Sequence, residues 1–233
     1  ELVHRTSRPA VLTGRWLLSF SFDTAFSLEH VYGHHLNVAT PKDPATAPRG
    51  MNFWTFYVRI LYLGNRNAWR IEKRFLQKKG RSVWSLHNRV ITGQLISLIW
   101  VALFAAADGI KGVVIFLIIS MWGKLYLEIT NYIEHYGLLR RTGADGRVER
   151  CQPHHSWNSN HVFSNWVVFH LQRHSDHHAH PTRRYQSLRH FEGLPELPNG
   201  YMGMFIVCYI PPLWYALMDR RLVRAVGGDA SRI

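Results

Sequence analysis

Residues Val90–Leu127 read VITGQLISLIWVALFAAADGIKGVVIFLIISMWGKLYL. Val90–Ala107 carries no charge, and Gly112–Leu127 carries only Lys124. Each stretch approaches the roughly 20 apolar residues that a helix needs to cross a bilayer. Asp108-Gly109-Ile110-Lys111 between them has the residue types of a tight turn. The pattern predicts a transmembrane hairpin and an all-α integral membrane protein. Arg/Lys-rich segments lie outside the hairpin, with Arg66, Arg70, Lys73, Arg74, Lys78, Lys79 and Arg81 the densest run. The positive-inside rule then puts both open ends in the cytoplasm and the turn outside.

Working outward, the second arm turns polar at Glu128, Asn131, Glu134 and His135. Upstream, Met51–Gln77 is aromatic and then basic, which predicts a long amphipathic helix near the interface. Asn37–Gly50 is punctuated by proline and predicts an irregular loop. Gly14–Leu28 is mostly apolar but short for a span. Downstream, Arg140–Gly200 is polar and histidine-rich, the composition of a cytoplasmic cap. Within it, Asn158–His178 reads as one helix closed by Pro181. Tyr201–Leu217 is apolar but interrupted by Pro211-Pro212, so a re-entrant or interfacial segment fits better than a span. Residues 1–233 are expected to form a single domain.

The histidines are clustered. His30, His34 and His35 fall in EHVYGHH, and His174, His177 and His178 fall in LQRHSDHHAH. Helical residues three or four apart share a face, so each block aims several imidazoles at one place. Neutral imidazole suits iron, copper, zinc and nickel. His135 stands alone in NYIEHYG, and spacing does not decide its role. The opening Glu1-Leu2-Val3-His4 is half of an H-E-x-x-H pair whose first histidine would precede the chain, which reads as a fragment that has lost an N-terminal part. His4, His30, His34, His35, His135, His174, His177 and His178 are too many ligands for one ion and suit two. Two redox metals beside an apolar route point to dioxygen chemistry on an apolar substrate, since a hydrolytic pair would ordinarily use carboxylate bridges. Glu29, Glu134 and Asp176 neighbour the ligands and suit orienting imidazole N–H groups. Adjacent His154 and His155 should diverge and serve around the site, as should Asn158. His87, His161, His170 and His190 lack clustered spacing and read as structural.

The net charge of +13 invites nucleic acid as a partner. The basic residues flank apolar runs instead, and no RNA-binding or zinc-finger signature is present, so nucleic acid is excluded. Two cysteines, Cys151 and Cys208, make no disulfide framework.

EHVYGHHLNVATPKDPA, NYIEHYGLLR, PHHSWNSNH, LQRHSDHHAHPTRRYQSLRHF and LPNGY resemble the integral-membrane alkane 1-monooxygenases, and the resemblance runs the length of the chain. It implies a di-iron enzyme of the bacterial inner membrane with its active site on the cytoplasmic side. Such an enzyme inserts one atom of O2 into the terminal methyl of an n-alkane, with electrons passing from NADH through a reductase and rubredoxin. By motif, the implied iron ligands are His4, His30, His34, His35, His135, His174, His177 and His178, with a ninth histidine beyond the chain. Arg140, Arg141, Arg183 and Arg184 would form a basic face for acidic rubredoxin or for anionic lipid. Two alternatives stand beside this reading. Fatty-acyl desaturases and hydroxylases also use histidine boxes and two irons. A non-catalytic membrane metal-binding or transport protein is the other.

Overall fold

The computed structural model describes residues 2–233, so Glu1 of the opening half-motif lies outside the described residues. The described residues are helical, with isolated β-bridges and no strand. The chain forms two compact units. One holds residues 37–59 and 128–233, the other residues 2–36 and 60–127.

The second unit begins with a 3-10 turn, Leu2–His4, and helix α1, Arg8–Ser19. Pro9 in the first turn of α1 suits a position where no backbone donor is needed. The stretch Gly14–Leu28 is not continuous. It breaks after Ser19, with Phe22 in the left-handed region at φ 52°, before α2, Phe26–Glu29. A π-helical turn, His30–His34, then leads into α3, His35–Asn37. The proline-punctuated loop follows as expected, and then α4, Phe53–Lys78, and α5, Arg89–His135, each of which runs through both units.

α5 is long and apolar enough to cross a membrane by length and composition. It is not straight. Asp108 (φ −149°, ψ 34°) and Gly109 (φ 54°, ψ −139°) break the helix inside the predicted turn. The rings of Phe104 and Phe116 lie 5.0 Å apart, whereas twelve residues of continuous helix would separate them by about 18 Å. The chain therefore reverses here. A glycine is needed at 109 for its positive φ, and at 112, where a Cβ would sit 2.0 Å from the Phe104 carbonyl oxygen. Both arms grip the end of α1: Trp100 Nε1 donates to Ser19 Oγ at 2.9 Å, and Ser120 Oγ to the Phe20 carbonyl at 2.5 Å. Leu98, Ile99, Leu103, Ile118, Ile119 and Trp122 face outward, an apolar surface that water would not favour.

The first unit packs around aromatic rings. Phe53, Phe56, Tyr132, Tyr136 and Trp214 are fully buried and in edge or tilted contact. The two tyrosine hydroxyls are satisfied locally. Tyr132 donates to the Met51 carbonyl at 2.8 Å and Tyr136 to Asp219 at 2.8 Å.

The predicted helix Asn158–His178 is two helices: α6, Val162–Val167, and α7, His174–Ala179. Phe169 (φ 51°) and His170 (φ 58°) sit in the left-handed region between them. There the His170 N–H bonds the Asn165 carbonyl, the kind of bond that closes a helix. α8, Tyr201–Cys208, and α9, Pro211–Ala225, are separated at the two prolines, the interruption expected from sequence.

Candidate metal centre

Each unit carries its own histidine trio. In the second unit the ring nitrogens of His4, His30 and His35 all lie within 4.8 Å of one another. His30 Nε2 is 3.3 Å from His35 Nε2, and the His4 ring is 5.0 and 4.6 Å from theirs. These partners are five residues apart, not four. The π turn explains this, because the His35 N–H bonds the His30 carbonyl and widens the helix. His34, four residues on, is fully buried and stacks on His30 at 5.1 Å. Gly33 makes the turn possible: a Cβ there would lie 2.7 Å from Asn67 Nδ2 and 2.8 Å from Glu29 Oε1. Asn67 donates to that Glu29 oxygen at 3.1 Å. Glu29 thus braces the turn through Asn67.

In the first unit three Nε2 atoms meet. His174 is 3.0 Å from His135 and 2.9 Å from His178, and His178 is 3.4 Å from His135. Metal–nitrogen bonds of about 2.0–2.1 Å put two ligands of one ion about 3.0–3.4 Å apart, so the spacing fits a shared cation. His174 Nδ1 lies 3.1 Å from Glu134 Oε1, so a proton on Nδ1 would face the carboxylate and leave Nε2 its lone pair. Glu134 thus lies against the His174 ring. Its Oε1 also accepts from the Tyr201 hydroxyl at 2.7 Å. Tyr201 was not singled out by sequence, since a tyrosine in LPNGY carries no spacing signal. The His177 ring is buried, 5.5 Å from that of His174.

α7 is short and is held from outside. Its N-cap Arg173 makes no side-chain cap. Asn158 replaces the cap: its Oδ1 accepts from the Ser175 N–H at 2.9 Å, and its Nδ2 donates to Ser175 Oγ at 2.7 Å. Asp176 does not orient an imidazole by any contact seen here. Its buried carboxylate is clamped by the Arg183 and Arg189 guanidiniums and accepts the Arg189 backbone N–H at 2.9 Å. Burial alone would raise its pKa, but these donors hold it below the usual aspartate value.

His154 and His155 do not diverge. They share a 3-10 turn, Pro153–His155, with rings 4.2 Å apart. The Gln152 N–H donates to His155 Nδ1 at 2.8 Å, so the ring proton lies on Nε2, 3.0 Å from Glu149 Oε1. That Nε2 is a donor, so Glu149 and His155 form a hydrogen-bonded pair with the His154 ring packed beside it. Burial, with the neighbouring His154 charge, depresses His155 to about 4, and the attraction of Glu149 does not offset it. His87, His161, His170 and His190 lie outside both trios. Of the basic-face arginines, Arg141 pairs with Asp229 and Arg183 with Asp176, while Arg184 is exposed.

Among known families, the one described as fatty acid desaturase matches residues 1–207. An alkane 1-monooxygenase of Pseudomonas putida is 50% identical over 208 residues, which are 89% of this chain and 52% of that protein. Alkane 1-monooxygenase 1 of Alcanivorax borkumensis is 50% identical over 209 residues, again 89% and 52%. A xylene/toluene monooxygenase hydroxylase component of Pseudomonas putida is 30% identical over 230 residues, 96% of this chain and 59% of its own length. The chain spans about half the length of the first two relatives.

Proposed function

The chain belongs to the fatty acid desaturase family, and from that premise we propose that it is the metal-bearing portion of a membrane alkane 1-monooxygenase. The single observation that carries the reading is the Nε2 triangle of His135, His174 and His178, with Glu134 against the His174 ring. The all-imidazole donor set suits iron. His135, His174 and His178 would hold one iron and His4, His30 and His35 the other, with His34 and His177 as further candidate ligands. Two irons bound there would supply O2 activation for insertion of one oxygen into a terminal C–H bond. The reaction class consumes the alkane, O2, two electrons and two protons, and yields a 1-alkanol and water.

The protein residues have separate tasks. Glu134 keeps the His174 proton on Nδ1. Asn158 and Asp176 hold α7, so His174 and His178 present their nitrogens without rearrangement. His4, His30, His135 and His174 are buried and His35 and His178 half-buried, which limits the access of bulk water. The outward apolar surface of α5 suits a lipid setting, and the basic flanks favour the bacterial inner membrane with the histidines on its cytoplasmic side. Rubredoxin is the proposed electron donor, fed by an NADH-dependent reductase.

Desaturation of an acyl chain is the second reading, favoured by the family's own description. The relatives at 50% identity favour hydroxylation. Turnover of octane by the full-length protein, with iron analysis, separates the two. 1-Octanol with two irons per chain is expected. An unsaturated acyl product, or turnover without iron, would reject the assignment.

A further inference from the structure

We propose that Tyr201 is a positioning residue for the metal centre, acting on His174 through the Glu134 carboxylate; this deepens the reading above and rests on it. Glu134 comes from the end of α5, Tyr201 from the first turn of α8, and His174 from the first turn of α7. All three are buried, at 2%, 0% and 1% exposure. One oxygen joins them: Oε1 accepts from the Tyr201 hydroxyl at 2.7 Å and lies 3.1 Å from His174 Nδ1.

A buried carboxylate needs hydrogen-bond partners to stay in one place. A glutamate has three rotatable bonds, so the His174 contact alone would not fix it. The tyrosine hydroxyl supplies the second anchor, and it comes from a rigid source. Gly200 precedes Tyr201, and a Cβ there would lie 2.3 Å from Ser164 Oγ, so this glycine lets the start of α8 press against α6. The Asn-Gly-Tyr order of residues 199–201 thus sets where the hydroxyl points. Partners of this kind fix ring orientation and raise ligand basicity, and losing one typically costs about 10–100-fold in metal affinity.

The test is iron release to a ferrous chelator from the iron-loaded full-length protein. Four proteins are compared: wild type, Tyr201→Phe, Glu134→Gln and the double variant. Phenylalanine keeps the buried ring, so a purely packing role leaves release unchanged. Tyr201→Phe is expected to weaken iron retention about tenfold, with the metal-free unfolding midpoint preserved. In the Glu134→Gln background the same change should add little, because the hydroxyl acts through the carboxylate. Wild-type retention in Tyr201→Phe would overturn the proposal. So would a full additive loss in the double variant. Iron-loaded wild type that forms no 1-alkanol would reject the proposed reaction and leave the retention comparison standing.

Discussion

At the scale of single residues, Gly33 and His155 make the sharpest predictions. Gly33→Ala sets a methyl against Asn67 and Glu29 at distances that real side chains do not tolerate. The π turn must shift, at an overpacking cost of about 1–3 kcal/mol. Thermal unfolding should show the loss, and bound iron should fall because His30 and His35 no longer meet. Wild-type iron content in this variant would mean the turn's register is unimportant. His155 makes a prediction about pH. Its folded pKa is about 4 against an ordinary value of 6.5, so the folded protein holds it neutral. As pH falls through 6.5 the unfolded chain takes up a proton that the folded one refuses. Stability is therefore expected to decline between about 6.5 and 4, with no further change from this group below that. His155→Gln should flatten that part of the stability–pH curve, measured by denaturant unfolding. Asp176 has the same sign in a lower window: its lowered pKa gives stability that is present above the ordinary 3.8 and is lost as pH falls through the folded value.

At the scale of elements, α7 is the least self-sufficient piece. Six residues cannot hold a helix alone. Asn158 supplies its missing cap from 17 residues upstream, so Asn158→Ala is expected to cost about 1–2 kcal/mol and to loosen His174 and His178 together. Hydrogen exchange at the Ser175 amide would report it; unchanged protection would show that α7 needs no outside cap. The reversal at Asp108 and Gly109 yields a second prediction. Cysteines placed at Gly109 and at Gly143 in intact cells should label from opposite sides of the membrane. Labelling from one side would contradict the orientation read from the basic flanks.

At the scale of the whole molecule, the arginines read as a docking face are largely occupied. Arg183 serves α7 through Asp176, and Arg141 is tied to Asp229. Reversing Arg183 would damage the metal centre itself. Arg184 is exposed and is the cleaner probe. Arg184→Glu should slow rubredoxin-driven turnover at low salt by a few-fold and have little effect at high salt, as electrostatic steering does. Equal slowing at both salt levels would assign Arg184 to folding or lipid contact.

The patterns visible in the sequence were those that repeat locally. The apolar arms around residues 108–111, the proline breaks at 41–48 and 211–212, and the clustered histidines follow from composition and short-range spacing, and the structure bears out their helices and turns. Tertiary structure decided the rest. Which histidines meet within a block depends on helix type, and EHVYGHH does not announce the π turn that pairs His30 with His35; Gly33, Asn67 and Glu29 select it by packing. The break at Phe169 and His170 overrides helical propensity, because left-handed residues there end α6 and let Asn158 reach α7. Asp176 turned to arginines, His154 and His155 converged in a 3-10 turn, and Tyr201 reached Glu134 across 67 residues. Periodicity constrains only neighbours along the chain, whereas buried polar groups choose partners wherever the fold brings a donor to an acceptor.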